Sequence, residues 1–546
     1  MKKATLLLFP MLLASCASGG GSGSSEYSYE RQTTFDYDVD TSVTGDSRTG
    51  YEIFVGSFAD SNGDGYGDLK GIEDKLDYLK AIGASILWLT PIHPSATYHH
   101  YDVEDYYAVA SQFGDLDAFS SLCQKASQKG MTVIMDMVFN HASTRSTLFK
   151  TALEDYVSGN TSSTSKKDYF RFSDAAPSQT KEGQVFRSIQ YGGKTVWYEC
   201  DFDSTMADFN LDAQVVRDFH EEVMRFWIGK GAGGFRYDGV AYYYAGEQAK
   251  NTEYAGYLAT KAKAIKEDVY LIVENWESSS SYARIGAFAG VGQHAFNFRN
   301  SVDGTNYSFV TYVNQKKGSS VSANTVSLQK EIAKKSPDGD PVFFLSNHDQ
   351  DRVYNYTSLY SSDRVEKMKC IASLYLLTPG TPFMYYGEEI GLQGSRGSAN
   401  TDANRRLPMI WQPTNDFARC SDPVGTTYKA DDRALEAALK SVASGNGLAR
   451  HYVKLNQIRA KFPAISKGTY AQLEGADTTL AAYTISYQGK DYVLATNLDS
   501  KCGYFNLPEG TYSIVDEVTT VGVPAQLSGS KVALPEYSSV LLAKTA

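Results

Sequence analysis

Four short segments, far apart in the chain, each carry an acidic side chain or a histidine near the end of an apolar, strand-like run. The segments are 133–136, 234–238, 270–274 and 343–349. In a β/α barrel, buried parallel strands have continuous apolar sequences, and the side chains at their carboxyl ends project into one shared bowl. The pattern therefore predicts that acids and histidines meet at the mouth of a barrel. There, carboxyl groups can serve as nucleophile and as general acid–base catalyst.

The elements that must position these groups follow a repeating strand-then-helix order. Eight strand candidates lie near 51–55, 86–89, 133–136, 235–238, 270–274, 294–298, 342–345 and 383–386. From Leu69 to Ile82 the apolar residues recur at helical spacing, and Gly83 ends the run, which predicts the first barrel helix. The order predicts a parallel sheet, and hence an α/β fold of the (β/α)8 TIM-barrel class.

Two further regions depart from the barrel pattern. We expect the barrel to comprise residues 49–141 and 213–466 of the 546. Residues 142–212 are polar, aromatic and irregular, and too many for a simple loop, so they predict a small lobe inserted after the third strand. From 467 to 546, short alternating segments separated by turns predict a C-terminal antiparallel β-sandwich.

The overall charge limits the class of partner. The formal net charge is −11 and the basic residues are scattered. Nucleic-acid binding needs a basic patch that releases counterions, so we expect no nucleic-acid partner. An uncharged substrate fits the charge better. The sequence carries no indication of an oligomeric state.

The amino terminus reads as an export signal. Lys2 and Lys3 precede an apolar stretch from 4 to 14 that is too short to span a membrane. The sequence at 13–16 resembles a bacterial lipoprotein box, which implies that residues 1–15 are removed and that lipid is attached to Cys16. Residues 16–48 would then be a flexible tether. We expect an exported protein, anchored by lipid to the bacterial cell membrane at the cell surface or periplasmic face.

The four segments, in this order, resemble the signature regions of glycoside hydrolase family 13, the α-amylase family. The matching stretches are DMVFNH (136–141), GFRYD (234–238), VEN (273–275) and SNHD (346–349), together with YDVEDYY (101–107), MADFN (206–210) and PFMYYGEEIG (382–391). The resemblance spans nearly the whole mature chain. It implies a retaining hydrolase that cleaves α-1,4-glucosidic bonds in starch or maltooligosaccharides.

The same resemblance implies a role for each motif residue. Asp238 is the expected nucleophile, Glu274 the acid/base, and Asp349 the carboxylate that stabilises the transition state. The expected substrate-binding residues are Tyr101, His141, Arg236 and His348. Asp102 and Asp136 match positions that we interpret as architectural. Arg236 shares a strand face with Asp238, so we expect it to lower the pKa of that carboxyl, whereas Glu274 needs a raised pKa.

Two calcium sites are predicted. The loop from 60 to 68 resembles the short calcium loop of oligoglucosidase-like family members and lacks the position-12 glutamate of an EF-hand. Its candidate Ca²⁺ ligands are Asp60, Asn62, Asp64, Tyr66 and Asp68. The alternative is a tight turn without metal. Asn140 and Asp208 match two ligands of a second Ca²⁺ that joins barrel and lobe in α-amylases.

The bond specificity stays open at this point. Endo-acting amylases usually carry a Lys-His pair where this chain has Ala241 and Tyr242, and MADFN lies between the amylase-like and oligo-1,6-glucosidase-like forms of its motif. One alternative is an oligo-1,6-glucosidase, a neopullulanase-like enzyme or a transglycosylating relative. Another, from a different class, is a glycan-binding lipoprotein without activity.

The lipid anchor gives a direct prediction. Cys16→Ala removes the sulfur that would carry the lipid, so the mature protein should move from the membrane fraction to the soluble fraction. Fractionation with immunoblotting measures the change, and Cys123→Ala is the control. Membrane retention of the Cys16→Ala protein after normal signal cleavage would show that the anchor lies elsewhere.

Overall fold

The computed structural model describes residues 29–32, 34–37, 47–276, 281–337, 339–356, 361–428 and 434–545. The predicted signal peptide and Cys16 lie outside these residues. Within the described ranges, the helices are all too short or too polar to cross a membrane.

A parallel β-sheet forms the centre of the molecule. Its seven strands are Gly50–Ile53 (β1), Ile86–Leu89 (β2), Thr132–Met137 (β3), Gly234–Tyr237 (β4), Tyr270–Val273 (β5), His294–Ala295 (β6) and Phe383–Tyr385 (β7). They pair in chain order, and β7 pairs with β1. Isolated parallel bridges from Phe296 to Val342 and from Phe344 to Phe383 place residues 342–344 between β6 and β7. The predicted (β/α)8 barrel is therefore confirmed, with its seventh position formed by bridges alone.

Helices follow the strands in the expected order. They are Leu69–Asp74, Leu76–Ala81, Leu116–Gln128, Gln214–Gly229, Gln248–Ile265, Ala283–Gly290, Gly318–Ala333, Arg364–Leu376 and Leu448–Lys461. Shorter helices are Val55–Phe58, Phe309–Asn314, Ala438–Ala443 and Ala464–Lys467. The helix expected before Gly83 is two pieces, because Lys75 leaves helical geometry at φ −104° and ψ 8°.

Apolar side chains fill the inside of the barrel beneath its mouth. They are Ile86, Trp88, Ile134, Tyr270, Ile272, Phe296, Phe298, Val342, Phe344 and Phe383. Close packing also fixes the start of β4. A β-carbon on Gly234 would lie 2.0 Å from the Tyr270 carbonyl oxygen, so only glycine lets β4 and β5 approach this closely. These two strands carry the nucleophile and the acid/base predicted from the sequence.

The region between β3 and β4 contains its own small elements. A two-stranded sheet pairs His141–Ser143 with Met206–Asp208, and a helix runs over Thr147–Ser158. A three-stranded sheet contains Phe172–Ser173, Phe186–Tyr191 and Lys194–Glu199. Since His141 and Asp208 are paired in the same ladder, the beginning and end of this lobe return to the barrel mouth together.

Two antiparallel sheets follow the barrel and confirm the predicted C-terminal β-domain. One contains Thr469–Gln472, Leu480–Tyr487, Lys490–Asn497, Thr511–Val518 and Ser539–Thr545, and the other Gly503–Asn506, Gln526–Ser528 and Lys531–Leu534. Buried residues of both sheets, among them Leu480, Val493, Phe505 and Val532, form one apolar cluster. This is the alternating pattern of a sandwich, with apolar side chains facing inward.

Part of the predicted tether is packed against the rest of the chain. Tyr37 is only 7% exposed, and its hydroxyl lies 2.9 Å from His451 Nδ1 and donates to the Thr519 carbonyl at 3.0 Å. The Gln32 amide donates to the Val521 carbonyl at 3.1 Å. Residues 29–32 and 34–37 therefore join a barrel helix to the C-terminal sandwich. The expectation of a free linker is wrong for this part of 16–48.

Candidate active site

The buried guanidinium of Arg236 lies at the centre of the barrel mouth and contacts three carboxylates. Its Nη1 lies 2.7 Å from Asp136 Oδ1 and 2.6 Å from Asp238 Oδ1. Its Nη2 lies 2.9 Å from Glu274 Oε1. All four residues are buried. A single cation thus holds the predicted nucleophile and the predicted acid/base close together.

Strand register explains how the four residues meet. Arg236 in β4 is opposite Asp136 in β3 and Ile272 in β5. Asp238 and Glu274 come directly after their strands, with Asp238 N donating to the Met137 carbonyl at 3.1 Å. The Gly239 amide donates to Glu274 Oε2 at 2.9 Å and fixes that carboxyl beside the turn after β4. The carboxyl ends of adjacent parallel strands therefore deliver both acids to one place.

A second group of residues forms the other side of the site. The Tyr101 and His348 rings are stacked at 5.3 Å, and the Tyr101 hydroxyl lies 2.7 Å from His348 Nε2. The same hydroxyl donates to Asp136 Oδ2 at 2.8 Å. His348 Nε2 also lies 3.0 Å from Asp349 Oδ2. His141 also contacts this group, since its Nε2 lies 3.1 Å from the Tyr101 carbonyl oxygen. The structure thus brings together all seven predicted catalytic and substrate-binding residues.

Burial changes the acidity of the two predicted catalytic acids. It raises the pKa of Asp238 to about 6, against the attraction of Arg236. Burial also raises the pKa of Glu274, and Arg236 again opposes the change. The expectation that Arg236 would leave Asp238 with a lowered pKa is therefore wrong, because loss of solvent outweighs the nearby cation. At neutral pH, Asp238 is still mostly ionised.

The opposite side of the site favours charged forms. Burial opposes protonation of His348, but the carboxylates of Asp349 and Glu52 raise its pKa to about 10. Burial likewise works against ionised Asp349, yet His348 and Arg406 hold its pKa well below the ordinary value. His141 behaves differently, since burial lowers its pKa to about 4. His348 is thus a cation at neutral pH and His141 is neutral.

An acidic cluster lies where the lobe meets the barrel. Ligand atoms of Glu199, Asp201 and Asp208 all lie within 4.8 Å of one another, and no other such group of three was found among the described residues. Asn140 Nδ2 donates to Asp208 Oδ1 at 2.8 Å. Burial, followed by the charge of Asp201, raises the pKa of Asp208 well above its usual value. Oxygen donors with unbalanced negative charge fit a calcium ion.

The predicted calcium loop at 60–68 makes internal hydrogen bonds. Asp60 Oδ1 accepts from the Gly63 amide at 2.7 Å, and Asp64 Oδ1 accepts from the Tyr66 amide at 2.8 Å. Asp68 caps the following helix by accepting from the Gly71 amide at 2.7 Å. Such bonds fit a tight turn and are compatible with an ion-binding loop, so calcium at Asp60, Asn62, Asp64, Tyr66 and Asp68 stays a prediction.

Comparison with known proteins identifies the family to which this chain belongs. A model of the α-amylase catalytic domain matches residues 52–468. The chain belongs to the α-amylase family. The resemblance of the signature segments is thereby confirmed, and with it the expectation of a glycosidase.

Relatives in the α-amylase family carry different names. Alpha-amylase 3 of Dictyoglomus thermophilum is 32% identical over 90% of this chain and 92% of its own length. An oligo-1,6-glucosidase of Parageobacillus thermoglucosidasius is 26% identical over 84% and 91%. The structure of Eubacterium rectale Amy13B has a TM-score of 0.82 at 28% identity and covers 95% of this chain and 100% of its own. The two curated relatives are named as an α-amylase and an oligo-1,6-glucosidase, so both are glycosidases but their names differ.

Several residues of this α-amylase-family site were missed from the sequence. Glu52 accepts from His348 Nδ1 at 2.5 Å, and Arg406 Nη2 donates to Asp349 Oδ1 at 2.7 Å. The Trp88 indole donates to Asp136 Oδ2 at 3.1 Å. Glu52 could have been recognised from the sequence, because it is a charged residue within the apolar run of β1. Arg406 lies in a loop without any recognisable pattern.

The pKa values predict the pH dependence of this α-amylase-family enzyme. On the acid side, kcat/KM for a maltooligosaccharide should fall with a midpoint near pH 6, because protonated Asp238 cannot attack. The raised pKa of Glu274 should set the alkaline limb. With an α-glucosyl fluoride, whose leaving group needs no proton, Glu274→Gln should remove the alkaline limb and keep the acid limb. An acid midpoint near 4 would contradict the effect of burial on Asp238.

Proposed function

We propose that the protein is a retaining α-glucan hydrolase that cleaves α-1,4-glucosidic bonds in starch or maltooligosaccharides. The observation that carries the proposal is the shared contact of Asp238 and Glu274 with adjacent nitrogens of one guanidinium. This arrangement supports a short separation between the carboxyl groups, and retaining enzymes hold theirs about 5 to 5.5 Å apart. Inverting enzymes need about 6.5 to 9.5 Å, to admit a water molecule.

In the first step, ionised Asp238 attacks the anomeric carbon and forms a covalent glucosyl ester. The bond to the leaving sugar breaks, and its oxygen takes the proton of Glu274. Burial favours this starting state, because it keeps Glu274 protonated to a higher pH than an exposed glutamate. Arg236 holds both groups and cannot itself lose a proton in this pH range.

In the second step, Glu274 accepts a proton from water as the water attacks the anomeric carbon. The ester bond to Asp238 breaks, and the carboxylate returns to Arg236. Two displacements at the same carbon give net retention. Cationic His348 and Arg406 hold Asp349 ionised, so that its negative charge can stabilise the oxocarbenium-like transition states.

The choice of α-1,4 bonds is supported by the relative named an α-amylase, which matches nearly the whole chain. A second candidate is α-1,6 hydrolysis or glucosyl transfer, which the oligo-1,6-glucosidase relatives favour. A product profile on starch, maltotriose, isomaltose and pullulan separates the two. Cleavage of isomaltose in preference to maltotriose would replace the first candidate by the second.

Calcium at the barrel–lobe junction is part of the proposal. Asn140, Asp208, Glu199 and Asp201 would hold the ion, which would neutralise a cluster that burial otherwise disfavours. Arg171 already pairs with Glu199 at 3.0 Å and offsets part of the charge. The ion would fix the lobe to the barrel beside His141, the first residue of the two-stranded lobe sheet. A second ion is proposed in the loop at 60–68.

We also propose that the enzyme is exported and held at the bacterial membrane by lipid on Cys16. The support is the lipoprotein-like sequence of the first sixteen residues. An anchored enzyme of this kind would act on glucans outside the cytoplasm.

The catalytic assignment predicts the fate of two isosteric variants. Asp238→Asn and Glu274→Gln should each lower kcat on starch by about 10³-fold or more, the scale for groups that act directly in the reaction. Melting curves show whether both variants fold. With an activated α-glucoside, azide should take the place of the nucleophile in Asp238→Asn and give β-glucosyl azide. In Glu274→Gln, azide should take the place of the attacking water in the second step and give α-glucosyl azide. Folded variants with wild-type rates would reject the mechanism.

Calcium removal gives a further prediction. Chelation should lower the free energy of unfolding, by about 2.7 kcal/mol if free calcium stood at 100 times its Kd. Asp208→Asn and Asp64→Ala should each reproduce part of the loss without changing the bond cleaved. Asp168→Asn, at an exposed lobe position, is the control. An unchanged melting temperature after metal analysis confirms stripping would exclude a stabilising ion at both sites.

A further inference from the structure

A buried glutamate lies inside the barrel beside the active site. Glu52, the third residue of β1, is only 1% exposed. It lines a small space together with the rings of Trp88, Phe344 and Phe383. An ionised carboxylate among such side chains is unfavourable unless a hydrogen-bond donor or a cation faces it. Neither displacement step uses this acid, so its burial here needs another explanation.

The donor that faces Glu52 is the ring of His348. Glu52 Oε1 lies 2.5 Å from His348 Nδ1, and it also accepts from the His348 amide at 3.4 Å. Both side chains are buried, so water does not compete for these bonds. The contact at Nδ1 sets the orientation of the ring, with Nε2 directed to Tyr101 and Asp349.

The hydrogen bonds at Nε2 determine how many protons the ring carries. Tyr101 donates its single hydroxyl hydrogen to Asp136 at 2.8 Å, so its oxygen can only accept from His348 Nε2, 2.7 Å away. The other neighbour of Nε2, at 3.0 Å, is an oxygen of the Asp349 carboxylate, which also accepts. Nε2 must therefore donate. If Glu52 is ionised and accepts at Nδ1, both ring nitrogens carry hydrogen and His348 is an imidazolium.

The surrounding charges favour this ion pair over a neutral pair in which Glu52 keeps the proton. Besides Glu52, the charged groups around His348 are Asp136, Asp349, Arg236 and Arg406. Both arginines are paired with carboxylates, Arg236 with Asp136 and Arg406 with Asp349. Burial works against the imidazolium, but Asp349 and Glu52 together raise the pKa of His348 to about 10. The carboxylates around the ring thus outweigh its loss of solvent.

We propose that Glu52 is a positioning residue that keeps His348 doubly protonated and oriented toward Asp349 and Tyr101. The imidazolium then supports the negative charge of Asp349 from one side, while Arg406 supports it from the other. Without the charge of Glu52, the ring can lose its Nδ1 proton at a lower pH, and that support is lost. The effect on catalysis rests on the proposed function, whereas the protonation of the ring does not.

The first test observes the ring directly. In protein labelled with ¹⁵N-histidine, the ring shifts distinguish an imidazolium from either neutral tautomer, and the spectrum of His348→Gln identifies the His348 signals. Wild-type His348 should stay doubly protonated from pH 6 to 9. In Glu52→Gln, which keeps the size of the side chain, the pKa of His348 should fall by about 1 to 3, because one of two facing carboxylates is gone.

The second test measures the kinetic consequence. With α-glucosyl fluoride, kcat/KM reports the fluoride-releasing step, and Glu274→Gln should show no alkaline limb. Adding Glu52→Gln should introduce an alkaline limb with a midpoint between about pH 7 and 9, because the ring then loses its proton in this range. The acid limb, set by Asp238, should stay in place.

A buried glutamate outside the active site provides the matched control. Glu388 follows β7, is 3% exposed, and accepts from the hydroxyls of Tyr375 and Tyr452 at 2.6 and 2.7 Å. Glu388→Gln in the Glu274→Gln background should leave the pH profile on the fluoride without an alkaline limb. Melting curves of all variants measure the cost of removing a buried acid as such.

The outcomes separate this inference from the proposed function. A neutral His348 ring in the wild-type protein at pH 7 would overturn the proposal, whether or not Glu52→Gln folds. Equal losses of kcat/KM at every pH, with an unchanged His348 signal, would show that Glu52 serves packing alone. A wild-type protein that released no fluoride and cleaved no glucan would contradict the proposed function, while the ring signals would still report the state of His348.

Discussion

The organisation of the site depends on one buried cation in contact with three carboxylates. Removing a charge from water is costly, and a buried ion is tolerated only when partners surround it. Arg236 is completely buried, and Asp136, Asp238 and Glu274 all approach its two terminal nitrogens. Their positions follow from the register of three adjacent strands. The register of the sheet therefore brings these charges together, and the ion pairs in turn connect the ends of β3, β4 and β5.

The charge balance around this cation separates the roles of the acids. Five carboxyl groups face three cations, namely Asp136, Asp238, Glu274, Asp349 and Glu52 against Arg236, His348 and Arg406. Carboxyl groups therefore outnumber the cations around the site. A positively charged transition state is favoured in such surroundings. Asp238 and Asp349 add to burial in raising the pKa of Glu274, so the same carboxylates favour its protonated form and the transition state.

Sequence reasoning succeeded for residues whose position follows from a strand. Asp238 and Glu274 come immediately after apolar runs, and the order of strands in a parallel barrel then brings them together. It failed where a partner comes from a distant loop. Arg406 reaches Asp349 across 57 residues of chain, and Glu199 and Asp201 lie in an irregular lobe without periodicity. The raised pKa of Asp238 was missed because burial cannot be read from a nearby arginine alone.

The packing of residues 29–32 and 34–37 has a mechanical consequence. Arg31 pairs with Glu366 of a barrel helix and lies 3.4 Å from Glu536 of the C-terminal sandwich, while Tyr37 bonds to His451 and Thr519. A pull on the amino terminus would act on these contacts before it reached β1, which pairs with a strand on each side. The contacts of these residues would therefore bear a force applied upstream before it reached the strand that carries Glu52.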